Sequence, residues 1–206
     1  MTEQRAAAIA ATYRQDDPDA WDVARAVVGD AQAFADLVER LELRVYRFIL
    51  RQVSAVTEAE DLTQDTFLEV YRNLHRFRGA SKFSTWVMGI ALNISRNYRS
   101  RAPERRYQFH SDEVLERRAD GAATPGRQAE VNEAARAVQH GLAELPDELR
   151  EALVLVSIEG MSYEQAAEVA GIPVGTAKNR VFRARRQLRD ILRDQGRDDF
   201  LDPEKS

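Results

Sequence analysis

The stretch Ser162–Arg193, SYEQAAEVAGIPVGTAKNRVFRARRQLRDILR, constrains the fold more than any other part of the chain. Ser162 stands where a helix N-cap accepts a backbone N–H, and Gln165, three residues on, can reach back to close a capping box. Ala166, Ala167 and Ala170 are small enough for a second helix to cross closely. Gly171 supplies the left-handed conformation that ends a helix, and Pro173 fits the start of the next, where a missing N–H costs nothing. Val174, Ala177, Val181, Ala184 and Leu188 recur at helical spacing and turn one stripe inward, leaving Lys178, Arg180, Arg183, Arg185, Arg186 and Arg189 outside. A short helix, a glycine turn and a longer basic helix form the pattern of a helix-turn-helix, with Thr176, Lys178, Asn179 and Arg180 in the turns that reach DNA. A solvated basic helix on an ordinary bundle explains the charge but not the coincidence of cap, turn and spacing.

A net charge of −4 over 206 residues argues against nucleic acid until the charge is placed along the chain. Acids gather in Asp16, Asp17, Asp19 and Asp22, again in Glu58, Glu60, Asp61, Asp65 and Glu69, and at the tail. Bases gather in Arg96, Arg99, Arg101, Arg105 and Arg106 and in the last long helix. Such segregation suits a chain with a DNA side and a partner side. With 44% hydrophobic and 31% charged residues and no alternating β-branched runs, the chain is expected to be soluble and all-α. The absence of cysteine excludes a disulfide framework, a thiolate metal site and a cysteine nucleophile, and is compatible with a reducing compartment. The N-terminus does not read as a signal peptide, and no apolar run is long enough for membrane insertion.

The pattern divides the chain into an N-terminal extension (1–18), a first helical unit (19–103), a flexible linker (104–127), a second helical unit (128–195) and a tail (196–206). Asp30 is placed to cap a helix through Ala33, Leu37, Leu41, Val45, Phe48 and Ile49. Thr57 and Glu60 read as a second capping box, opening a helix that carries Leu62, Phe67, Val70, Tyr71 and Leu74 inward. A loop at 75–82 precedes a helix starting near Phe83 or Ser84. In the second unit, helices are expected through Ala134, Val138 and Leu142 and from Pro146-Asp147 through Leu149, Leu153 and Val156. Both termini are expected to fray.

Two further constellations carry chemistry. Asp61 and Asp65 lie four residues apart with Gln64 and Glu69 near the same side of an otherwise apolar helix. Paired carboxylates suit a metal-dependent phosphoryl-transfer site, a solvated face or a docking surface. No His, glycine-rich phosphate loop or nucleophile supports the first. Phe77, Phe83, Trp86 and Tyr98 alternate with Arg76, Arg78, Lys82, Arg96 and Arg99, a combination that holds single-stranded DNA by stacking and phosphate contact, though helical spacing equally places Phe83 and Trp86 in a core.

With these residues in view the chain resembles the extracytoplasmic-function sigma factors of the sigma-70 family. EDLTQDTFLEVYRNLHRF resembles the core-polymerase-binding helix, FRGASKFSTWVMGIALNISRNYRSR the promoter-melting segment, and LPDELREALVLVSIEGMSYEQAAEVAGIPVGTAKNRVFRARRQLR sigma domain 4. The resemblance implies two small helical domains and a cytoplasmic initiation factor, not an enzyme, with no cofactor and no metal. It implies that Asp61, Gln64 and Asp65 dock on the β′ clamp helices of core RNA polymerase. Phe77, Arg78, Gly79, Ala80, Ser81, Lys82, Asn93, Arg96 and Arg99 fall at the −10 element, where a base is flipped from the strand. Thr176, Lys178, Asn179, Arg180, Phe182 and Arg183 fall at the −35 element of promoter DNA, with Phe182 alternatively in the core. Leu153 and Val156 would face the β flap. The linker would thread near the polymerase active site, and an anti-sigma factor would hold the protein inactive. The chain departs from the family at Gly89, where relatives carry a bulkier or basic residue, and in lacking an aspartate after Asn93. A dimeric stand-alone helix-turn-helix regulator is the competing reading; no heptad seam supports it.

Overall fold

The computed structural model describes residues 2–53, 55–101 and 125–196, and every regular element among them is helical. These residues form two compact units, 2–49 with 58–101 and 50–57 with 125–196.

The first unit contains α1 (Thr2–Ala10), α2 (Ala20–Val27), α3 (Ala31–Val53) up to Ile49, α4 (Val56–Asn73) from Glu58 and α5 (Phe83–Arg101), with a 3-10 turn at Leu74–Arg76. Asp30 acts as the sequence suggests: its Oδ1 accepts the Ala33 N–H at 3.1 Å at the head of α3. Thr57 does not cap α4, because that helix already begins at Val56 and Thr57 lies inside it. Leu37, Val45, Phe48 and Ile49 from α3, Val70 from α4, and Phe83, Val87, Met88 and Leu92 from α5 fill the core. The N-terminal extension is not frayed. Helix α1 packs on α2 with Ala6 fully buried, and Tyr13, Asp17 and Asp19 are each at most 6% exposed.

The second unit contains α6 (Pro125–Glu144), α7 (Asp147–Leu153), α8 (Tyr163–Ala170) and α9 (Val174–Asp194). Since α6 starts at Pro125, the expected linker boundary after residue 127 falls inside a helix; the rest of the linker and the tail beyond Gly196 lie outside the described residues. Helix α9 packs against α6, α7 and α8, burying Ala177, Val181, Ala184 and Leu192. Both halves of the capping box at α8 are formed: the Gln165 N–H donates to Ser162 Oγ at 3.2 Å, and the Ser162 N–H donates to Gln165 Oε1 at 2.9 Å. Gly171 ends α8 at φ 69°, ψ 39°, which glycine adopts without a Cβ penalty. Unforeseen is a π-helical turn at Val154–Ile158 that continues α7. Burial is already continuous along α7 from Leu149 and runs on into the π turn through Val154 and Leu155, so this segment is enclosed on all sides before Val156 comes back toward the surface.

Candidate polymerase and promoter interfaces

Helix α4 is divided lengthwise. Ala59, Leu62, Thr63, Thr66, Phe67 and Val70 face inward, and the two threonine hydroxyls are satisfied within the helix, donating to Ala59 O at 2.6 Å and Leu62 O at 2.7 Å. Asp61, Gln64 and Asp65 are all exposed on the other side. Leu68 (53% exposed) and Tyr71 (64%) extend the same stripe by further helical turns. The apolar pattern had placed Tyr71 in the core; instead its ring meets Phe34 edge-on at 5.0 Å and remains in solvent. The sequence signal for Leu68 was its seven-residue offset from Asp61, which selects the acidic face. Among the described residues no group of three or more His, Cys, Asp or Glu is placed to hold a metal. An acidic row ending in two large apolar side chains is suited to protein docking, because the carboxylates steer and the apolar groups gain by desolvation.

The loop after the 3-10 turn sorts the second constellation. Phe77 leaves the turn extended (φ −63°, ψ 125°), and its ring is 4% exposed. It packs against Phe83 at 5.4 Å, Trp86 at 5.4 Å and Tyr13 at 5.1 Å. The expected stacking of Phe77 on a base is therefore corrected: that ring belongs to an internal aromatic cluster, as does Phe83. Gly79 is buried at φ +70°, whereas Arg78 and Ala80 are exposed and Ser81 and Lys82 half-buried. On α5, Asn93 is exposed and Arg96 half-buried. Arg99 is only 5% exposed, because it continues the inward stripe of Met88, Leu92 and Ser95. Arg78, Ala80, Ser81, Lys82, Asn93 and Arg96 thus retain surface that a nucleic acid strand can reach.

On α9 the inward stripe leaves Lys178, Asn179, Phe182, Arg183, Arg185 and Arg186 exposed. Phe182, at 71% exposure, is outside the core. Lys178 Nζ lies 5.7 Å from the centre of the Tyr163 ring, a cation–π placement that ties the head of α9 to α8. Arg180 is drawn sideways into an ion pair with Glu148 of α7 at 2.6 Å, and Thr176 is half-buried. Arg185 donates to Ser157 Oγ at 3.1 Å. The flap-facing expectation needs correction at Leu153, which is 4% exposed; Val156 is half-buried, and Ile158, at 38%, is the exposed apolar side chain of that turn.

Residues 37–104 match the family model for sigma-70 region 2, and residues 135–188 match that for sigma-70 region 4. The RNA polymerase sigma-H factor of Pseudomonas aeruginosa is 36% identical over 180 residues, covering 82% of this chain and 91% of that one. The chain belongs to the sigma-70 family, among the extracytoplasmic-function sigma factors. Other relatives agree: the ECF RNA polymerase sigma-E factor of Haemophilus influenzae is 34% identical over 82% of this chain and 93% of its own. The ECF RNA polymerase sigma factor SigW of Bacillus subtilis is 34% identical over 81% and 92%. Among solved structures, sigma factor RpoE of Bartonella quintana, crystallised with the anti-sigma factor NepR, aligns at TM-score 0.62 with 26% identity, covering 79% of this chain and 98% of that one. CnrH, solved with the cytosolic domain of CnrY, aligns at 0.61 with 28% identity, over 84% and 96%. In this sigma factor the divided helix α4 and the aromatic loop lie within the region 2 match, and α9 through Leu188 lies within region 4. The region 2 match begins at residue 37, so α1, α2 and the segment between them precede it.

Proposed function

We propose that this sigma factor is an alternative transcription initiation subunit that binds core RNA polymerase through the exposed face of α4 and directs it to promoters. Asp61, Gln64 and Asp65, with Leu68 and Tyr71, form the polymerase-docking stripe. The exposed face of α9 enters the −35 major groove. Lys178 and Arg183 donate to guanine edges, Asn179 and Phe182 contact neighbouring bases, and Arg180 and Thr176 serve the phosphates. Arg78–Lys82, Asn93 and Arg96 hold the unpaired −10 strand, where the cost of flipping a base, a few kcal/mol, is offset by pocket and phosphate contacts without ATP. The protein acts by binding, with no chemistry of its own, in the cytoplasm where polymerase and DNA reside. The solved structure of the relative RpoE with the anti-sigma factor NepR supports control of this chain by such a partner.

The observation that carries this reading is the separation of an acidic-apolar stripe on α4 from a basic stripe on α9, inside matches to regions 2 and 4 of one family. Run-off transcription with sigma-free core polymerase and a library of promoter fragments tests it. Specific transcripts that require the protein are expected and would define both promoter elements. DNA binding without polymerase binding would favour the stand-alone regulator instead.

A further inference from the structure

The segment from Tyr13 to Asp17 precedes the region 2 match, yet it grips the −10 loop at both ends. Tyr13, 6% exposed, lays its ring edge-on against Phe77 at 5.1 Å. Its main chain also lies against Gly79: a Cβ there would stand 2.5 Å from Tyr13 Cδ1 and 2.7 Å from Tyr13 Cα. Gly79 is thus fixed twice, by its positive φ and by the closeness of Tyr13. At the loop's other end the buried Asp17 carboxylate bridges two backbones. Its Oδ1 accepts the Asp19 N–H at 3.1 Å and its Oδ2 accepts the Phe83 N–H at 2.7 Å. Phe83 is the first residue of α5, so an orphan helix donor is capped by a carboxylate 66 residues away in sequence. Asp16, held by Arg14 at 2.8 Å, lies 3.6 Å from Lys82 Nζ. Arg78 and Ala80 remain exposed.

We propose that Tyr13 and Asp17 are positioning residues for single-strand capture: this strap holds the loop 77–83 in its DNA-binding shape before the promoter opens. A surface loop ordinarily loses conformational freedom when it binds. Here the ordering is done in the free protein, from a part of the chain outside the region 2 match. Because the strap buries Phe77 and Gly79 and leaves Arg78 and Ala80 open, it supports the loop and does not cover it. The inference rests on the −10 assignment of the loop.

The test uses reconstituted holoenzyme and a fluorescent single-stranded oligonucleotide carrying the non-template −10 sequence of a promoter found by run-off transcription. Tyr13→Ala and Asp17→Ala are expected to weaken oligonucleotide binding about fivefold, the size of effect that loss of a helix cap allows. Affinity for core polymerase and for −35 duplex should stay at the wild-type value, and Tyr13→Phe, which keeps the ring, should restore binding. Unchanged oligonucleotide affinity overturns the proposal, and tighter binding overturns it in favour of a strap that occludes the loop. A parallel loss of core binding also overturns it, by showing a general folding defect. Arg78→Ala with Lys82→Ala separates the two levels of inference. If that pair weakens the oligonucleotide and the strap variants do not, only the strap fails. If that pair has no effect, the −10 assignment fails and takes this role of the strap with it.

Discussion

Arg180 of α9 and Glu148 of α7 form an ion pair at 2.6 Å that ties the basic helix to the helix packed against it. The Arg180 side chain is 19% exposed and that of Glu148 69%, so the pair is screened on its acidic side. Exposed pairs contribute at most about 1 kcal/mol, so Glu148→Ala should hardly move the melting temperature. It removes a carboxylate beside the basic face of α9 and releases the Arg180 guanidinium. Affinity for −35 duplex is expected to rise about two- to fivefold at low salt, with a steeper salt dependence, as measured by anisotropy over a salt series. A fall in affinity would instead mean that Glu148 aims Arg180.

Lys178→Ala and Arg183→Ala should each weaken −35 recognition by about 1–3 kcal/mol while leaving core polymerase affinity intact. Both side chains are exposed on α9, away from the buried stripe of Ala177, Val181 and Ala184, so truncation leaves no cavity. Competition between matched and scrambled −35 duplexes reads the specificity, and equal loss of core binding would defeat the separation of surfaces.

Leu68→Ala and Tyr71→Ala should reduce core polymerase affinity by about 1 kcal/mol or more each, since large apolar side chains in a docking face carry much of the binding free energy. Both are more than half exposed, so the free protein should lose little stability. Asp61→Ala should act chiefly on the association rate and its salt dependence. Surface plasmon resonance against core polymerase separates these effects, and wild-type rates for both apolar variants would exclude that stripe.

Much of this was legible in the sequence because it is local. The capping box at Ser162, the left-handed Gly171 and the inward stripe of α9 depend on residues within a few positions of one another, and the structure forms them all. The misplacements share one physical cause. Tyr71, Phe77 and Arg99 each sit where helical period or composition is ambiguous, and long-range packing decides their burial. Phe77 is enclosed by Tyr13, which the sequence assigned to a fraying end; no local pattern announces a contact across 64 positions of chain. The π turn at Val154–Ile158 is another such case, since its extra residue breaks the very periodicity used to infer a face.

Two glycines should respond oppositely to alanine. At Gly171 (φ +69°) an alanine meets no neighbour but must adopt the left-handed conformation, so Gly171→Ala should cost about 1 kcal/mol. Gly89 lies inside α5, where a Cβ would find open space, so Gly89→Ala should stabilise by up to about 1 kcal/mol. Urea denaturation distinguishes them. Destabilisation at Gly89 would point to a partner that needs the bare backbone.

The acid limb of stability should depend on Asp30. Its Oδ1 accepts the Ala33 N–H, and its Oδ2 accepts Arg25 Nε at 3.0 Å and Nη2 at 2.6 Å. The backbone hydrogen bond first, and then the guanidinium, hold this carboxyl below the ordinary carboxylate range. A depressed acid stabilises the fold above its unfolded pKa of about 4, and that contribution is lost as pH falls through the lower folded value. Asp19 works in the opposite sense: burial raises its pKa, so folding gains there as the group becomes protonated. Asp30→Asn keeps an oxygen for the Ala33 N–H and removes the charge. The melting-temperature gap between wild type and Asp30→Asn should therefore be widest near neutral pH and close as pH falls below about 4. Thermal melts across that range read it directly. A gap that does not change with pH would show that the Asp30 cap stabilises α3 through its shape and hydrogen bond alone.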